Sequence, residues 1–135
     1  MIKLITGKKG TGKTKILIDM INESAKKTSG NIVCIEKGAK LTYDIDHSVR
    51  LTDTDHYSID GYDAFYGFIA GMFAGNFDIS EVYVDSILKI GGKDYAELGV
   101  LLQKLDKISG KDITIVFTVS ADEADLPDSV KAFIA

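Results

Sequence analysis

The 135-residue chain has one cysteine, one proline, no tryptophan and a single arginine, Arg50. Each scarcity excludes something. Cys34 alone cannot close an internal disulfide, and no group of Cys and His has zinc-ligand spacing, which suits a reducing, cytoplasmic setting. The longest uncharged stretch, Ala64–Phe77, is fourteen residues. A membrane-spanning helix needs roughly 20, so no span is expected. Met1–Thr6 is too short an apolar run for a signal peptide. Positive charge is also in short supply. Sixteen cations face twenty acids for a net charge of −4, which counts against a monomer that grips nucleic acid by bulk charge. Fifteen of those cations are lysines, so the chain cannot supply the several arginines that nucleotide kinases close over a transferring phosphate.

What is present is ordinary for a globular protein: 45% apolar and 27% charged residues. With no internal repeat, low-complexity tract or linker, residues 1–135 read as one domain, long enough to bury about two-thirds of its unfolded surface. Short apolar runs read as strands at Ile2–Thr6, Asn31–Glu36, Val49–Thr52, Ile79–Asp85 and Ile113–Val119. Helical spacing appears from Thr14 to about Thr28, with Ile16, Leu17, Met20 and Ile21 on one face. It appears again from Asp60, the expected cap, to Asn76, from Lys93 to Ile108, and from Pro127 to Ile134. Strands alternating with helices predict an α/β, three-layer sandwich with a mostly parallel sheet, whose ligands bind at the carboxyl ends of the strands.

Gly7-Lys8-Lys9-Gly10-Thr11-Gly12-Lys13-Thr14 matches the pattern G-x-x-x-x-G-K-[ST] in full. Glycines let the backbone curl so that successive N–H groups face a phosphate, and the helix that follows aims its positive end at the same place. Lys13 is placed to reach the β- and γ-phosphates and stabilise charge, and the Thr14 hydroxyl to join a magnesium ion. This pattern, between a strand and a helix, predicts nucleotide binding. Val82-Tyr83-Val84-Asp85 supplies a strand ending in a carboxylate, the candidate partner of Thr14 in holding magnesium. The residue after Asp85 is Ser86, where many phosphate-loop ATPases have a glutamate that activates water.

Asp85-Ser86, together with the phosphate loop, resembles the RecA-like branch of phosphate-loop ATPases, in a minimal core. That resemblance implies ATP as ligand with Mg2+, a catalytic glutamate near the end of the second strand, and a polar γ-phosphate sensor ending a later strand. The corresponding residues here are Glu36, and Thr118 or Ser120. ATP rather than GTP follows from the resemblance and from the lack of an N/T-K-x-D guanine-reading signature. The chain is also similar to short bacterial phosphate-loop proteins sometimes labelled twitching-motility ATPases, without the acidic and histidine boxes of the retraction ATPases proper. The expected activity is magnesium-dependent ATP binding with slow hydrolysis, serving as a switch or motor element. The alternatives are a small-molecule kinase and a non-hydrolysing adaptor.

Gly67, Gly71 and Gly75 recur at every fourth residue of the helix 60–76. Glycine inside a helix costs about 1 kcal/mol relative to alanine. Close packing on the chain's own sheet or an interface with a protein partner or second copy would each account for it. The polar insert 38–59 is long for a connection in a small domain and is expected to be a mobile element facing a partner or a substrate. The acidic loop Ala121–Asp125 is expected to face away from the phosphate site.

Overall fold

The computed structural model describes residues 1–134. The elements in chain order are β1 (Ile2–Gly7), α1 (Lys13–Ala25), β2 (Asn31–Glu36), β3 (Arg50–Asp53), α2 (Tyr62–Gly75), β4 (Ile79–Val84), α3 (Ile87–Gly91), α4 (Tyr95–Ser109), β5 (Thr114–Ser120) and α5 (Asp128–Lys131). The sheet order is β1-β5-β4-β2-β3 and every pairing is parallel. The expected α/β architecture is present, with β5 between the strand of the glycine loop and the strand ending at Asp85. Parallel strands covered on both faces need side chains apolar in both directions. In β5, Ile115 and Phe117 join one core and Val116 the other.

The two faces are covered differently. On one, Phe65 and Ile69 of α2 and Leu98, Leu101, Leu102 and Leu105 of α4 pack on Leu4, Ile35, Val84 and Phe117. On the other, α1 contributes Leu17 and Ile21 against Ile32, Cys34, Tyr83 and Val116. Ile16, expected on this apolar face, is exposed, because one helix lying alone on a sheet buries only a narrow i, i+4 stripe. The remaining area is filled by Leu41, Ile45 and Val49 of the 38–59 insert. Asn22 of α1 pins the insert, donating to the Asp44 carbonyl at 2.8 Å and accepting the Asp46 N–H at 2.9 Å. The insert is therefore a covering layer of the core, which its polar composition conceals.

Local departures have local causes. Gly61, not Asp60, occupies the cap position of α2; its N–H donates to the Ile90 carbonyl. Asp94 caps α4 by accepting from the N–H groups of Ala96 and Glu97, so that helix starts after Lys93. Gly91 lies so close to the Tyr62 ring that a Cβ there would overlap it. A Cβ at Gly67, Gly71 or Gly75 would meet nothing within 4 Å among the described residues. Close packing of these glycines on their own sheet is thus excluded, since α2 turns Phe65 and Ile69 inward instead. Among the described residues no helix is long and apolar enough to cross a membrane.

Candidate phosphate-binding site

β1 delivers the chain to Gly7 at the carboxyl end of the sheet, and α1 begins six residues later at Lys13. Between them the loop turns through left-handed backbone at Gly10 (φ 84°) and Gly12 (φ 85°), which side-chain-bearing residues adopt at a cost. Gly7 is required for a different reason: a Cβ there would stand 2.6 Å from Thr11 Oγ1. Among the described residues, the backbone N–H groups of residues 8–12 donate to no acceptor. Five successive donors without a partner in the chain, beside the positive end of a thirteen-residue helix, are chemistry suited to an anion.

Lys13 is buried along its stem, and its ammonium donates to the Lys8 carbonyl at 2.8 Å and to Thr11 Oγ1 at 3.4 Å. Burial pulls its pKa down and the Asp85 charge pulls it up, with burial the larger effect. The Thr14 hydroxyl donates to the Asp85 carboxylate, 3.2 Å from Oδ1 and 3.3 Å from Oδ2. Thr118 Oγ1 donates to the same Oδ1 at 2.8 Å and accepts the Ser86 N–H at 2.6 Å. Residues 71 and 33 positions away along the chain from Asp85 are thereby joined at one carboxylate. One hard carboxylate beside one hydroxyl is a donor set that fits magnesium, which takes one or two carboxylates and leaves its other positions to water and phosphate oxygens.

Lys9, Gly10, Gly12, Lys13, Thr14, Thr118 and Ser120 line one cavity of about 650 Å³. Part of the glycine loop, Thr14 and the two strand-end hydroxyls proposed from sequence thus come together, whereas Gly7, Lys8 and Thr11 are not in the lining and Asp85 reaches it through its hydrogen bonds with Thr14 and Thr118. Glu36 does not line this cavity. Its buried carboxylate accepts the N–H groups of Lys40 at 3.1 Å and Leu41 at 3.0 Å, closing the loop after β2. Burial raises the Glu36 pKa; the Leu41 and Lys40 amides oppose this, and the Asp85 and Asp53 charges add to it. Beside it the buried Cys34 thiol is pushed up to about 12, by burial first and then by the Glu36 and Asp85 charges. Of the acidic loop, Glu123 and Asp125 are exposed as expected, but Asp122 turns toward the glycine loop, 3.8 Å from Lys8, and the Ala121 carbonyl accepts the Gly7 N–H. That exposed ion pair contributes little to stability. Arg50 sits on β3, at the far edge of the sheet from the loop, where it lines a groove against α2.

The remaining wall of the cavity was not anticipated from sequence. Ser86 adopts left-handed backbone (φ 58°, ψ 58°), uncommon for a non-glycine residue, and its N–H is held by Thr118. The chain there bends sharply into α3, which places Ser86, Leu88, Lys89 and Lys93 in the cavity lining. The only signal in the sequence is two lysines four residues apart just after the carboxylate strand. No protein-family model matches the chain, and no curated protein matches it.

Proposed function

We propose that the protein binds ATP with magnesium at residues 7–14 and turns it over slowly, as a nucleotide-dependent switch or motor element for a partner. The observation that carries this reading is the loop of unmatched amides between β1 and α1, set against the Thr14–Asp85–Thr118 cluster at the carboxyl end of a parallel sheet. Lys13 and the loop amides would stabilise charge on the β- and γ-phosphates, and Thr118 or Ser120 would sense the terminal phosphate. Thr14 and Asp85 are the residues that would hold magnesium, which would offset phosphate charge. The RecA-like resemblance and the choice of ATP over GTP belong to this proposal.

A specific observation favours the adaptor at the slow end of this range. Hydrolysis needs a base or a water-orienting group within hydrogen-bond reach. Among the described residues the cavity lining contains no carboxylate or imidazole, the adjoining Asp85 carboxylate is engaged by Thr14 and Thr118, and Glu36 is occupied by two backbone amides. The partner surface in this reading is the open glycine face of α2, which no residue of the described chain covers at Gly67, Gly71 or Gly75.

Thermal unfolding with Mg-ATP, Mg-GTP and a non-hydrolysable analogue tests the site, with Lys13→Ala beside the wild type. Ligand at a hundredfold excess over Kd stabilises by about 2.7 kcal/mol, on the order of 10 °C for a domain this size. The shift is expected with ATP and its analogue and is expected to vanish in Lys13→Ala. Folded wild-type protein that shifts with no nucleotide would overturn the reading. Phosphate release then separates a slow ATPase from an adaptor.

A further inference from the structure

We propose that Lys89 and Lys93 form a terminal-phosphate subsite, so that this chain distinguishes a nucleoside triphosphate from a diphosphate through α3. The inference rests on the nucleotide-binding reading and assigns residues that the phosphate-loop pattern does not contain.

Four lysines, Lys9, Lys13, Lys89 and Lys93, line the same cavity, in a chain whose net charge is −4. Among the described residues, neither Lys89 nor Lys93 is in an ion pair, whereas Lys8, Lys15, Lys27 and Lys37 each have a carboxylate partner. Both are exposed, so neither contributes to the core. Their side of the cavity follows from the chain path. Asp85 meets Thr14, the residue on the magnesium side of the phosphate loop, and the backbone bends at Ser86 directly after it. The Lys89 N–H then donates to the Ser86 carbonyl at 2.9 Å, putting Lys89 one turn beyond the carboxylate. In the phosphate-loop pattern the loop amides cradle the α- and β-phosphates, Lys13 reaches the β- and γ-phosphates, and the Thr14 hydroxyl joins magnesium, so the γ-phosphate of a bound triphosphate would lie toward the Thr14–Asp85 side. Cations on that wall meet a charge that only the triphosphate carries.

The backbone under these lysines is constrained. Ser86 is held by Thr118, and α3 is locked to the start of α2 by three contacts. The Gly61 N–H donates to Ile90, the Tyr62 hydroxyl donates to the Gly92 carbonyl, and Gly91 packs on the Tyr62 ring. A flexible lysine on a fixed base loses less freedom when it engages a phosphate than one on a mobile loop.

The test is calorimetric titration with Mg-ADP and with a non-hydrolysable Mg-ATP analogue. It compares the wild type, Lys89→Ala, Lys93→Ala, the double variant and Lys13→Ala. Hydrogen bonds to charged groups predict that the double variant loses roughly tenfold or more in affinity for the triphosphate. Its affinity for Mg-ADP should stay within about twofold of wild type on the same reasoning, because the loop is intact. Lys89→Arg should restore part of the preference. A wild type that binds both nucleotides equally well overturns the proposal, as does a double variant that loses both equally or neither. A wild type that binds neither nucleotide, like Lys13→Ala, refutes the nucleotide-binding reading itself. Unchanged unfolding temperatures of the nucleotide-free variants exclude loss of fold as the cause.

Discussion

The loops that follow β1 and β2 lie at the same end of the sheet and solve one problem in two ways. Each has backbone amides that the strand and helix ladders leave without acceptors. After β2, the amides of Lys40 and Leu41 converge on Glu36, a carboxylate of the same chain. After β1, the amides of residues 8–12 converge on no acceptor among the described residues. The first loop carries its own anion; the second has none from its own chain, and in the proposed function a nucleotide would supply it. A carboxylate near the proposed phosphate site is therefore not by itself a catalyst, because its hydrogen bonds decide what it can do. Glu36 is the acceptor that lets a turn-rich segment bury Leu41 in the core.

The largest expected effect breaks the first loop. Glu36→Ala leaves two amides without their acceptor, and a buried unsatisfied donor costs about 1–3 kcal/mol; the variant should lose about 2–4 kcal/mol in denaturant unfolding. Glu36→Gln keeps one acceptor oxygen and should lose less. If Glu36→Gln instead keeps its stability and abolishes a measurable ATP turnover, the carboxylate is catalytic and the contrast between the loops fails.

Breaking the second loop comes next. Gly12→Ala forces a side chain onto backbone at φ 85°, a strain of about 1–3 kcal/mol. Its sharper readout is loss of the Mg-ATP thermal shift, which Glu36→Gln should retain. Gly71→Ala in α2 sets the scale for a glycine that serves neither loop. Its Cβ meets nothing, so helix propensity should raise stability by about 0.5–1 kcal/mol. Substitution with Glu at the same position should disrupt any assembly seen by sedimentation if α2 is the partner face.

The smallest effect is a pH slope. The folded pKa of Glu36 is raised above its ordinary value of 4.5, chiefly by burial. Between those two values the native protein holds more protons than the unfolded chain, so this contribution to stability falls as pH rises through the window. Asp53 behaves oppositely. The Gly38 N–H is the largest cause holding its pKa below 3.8, so its contribution is present above that value and lost as pH falls further. Glu36→Gln should remove the upper slope in unfolding measurements and leave the lower one.

Much of this was legible residue by residue. Gly7, Gly10, Gly12, Lys13 and Thr14 act through backbone conformation and immediate neighbours, so a local pattern contains nearly all of their geometry. The strands were readable because parallel strands buried on both faces must be apolar and β-branched, as Ile32–Ile35 and Ile115–Val119 are. Other features were hidden. α3 spans five residues, too few for a helical period to emerge. The insert looked unpartnered because few of its residues, Leu41, Ile45, Val49 and Ile59, enter the core, and they are scattered among polar ones. The turn of Asp122 toward Lys8 involves residues 114 apart in the chain, a contact that spacing does not encode.

By itself, the sequence determined the order of the strands and of the helices other than α3, the glycine loop between the first two elements, and the carboxylate directly after β4, because these follow from backbone preference and hydrophobic period. Tertiary structure alone decided which hydroxyls meet Asp85, that Glu36 serves its own loop, and that Lys89 and Lys93 line the cavity beside Lys13 and Thr14. Those outcomes depend on which strand ends the β1-β5-β4-β2-β3 order brings side by side. Side-chain hydrogen bonds reach about 3 Å, so sheet order selects their partners.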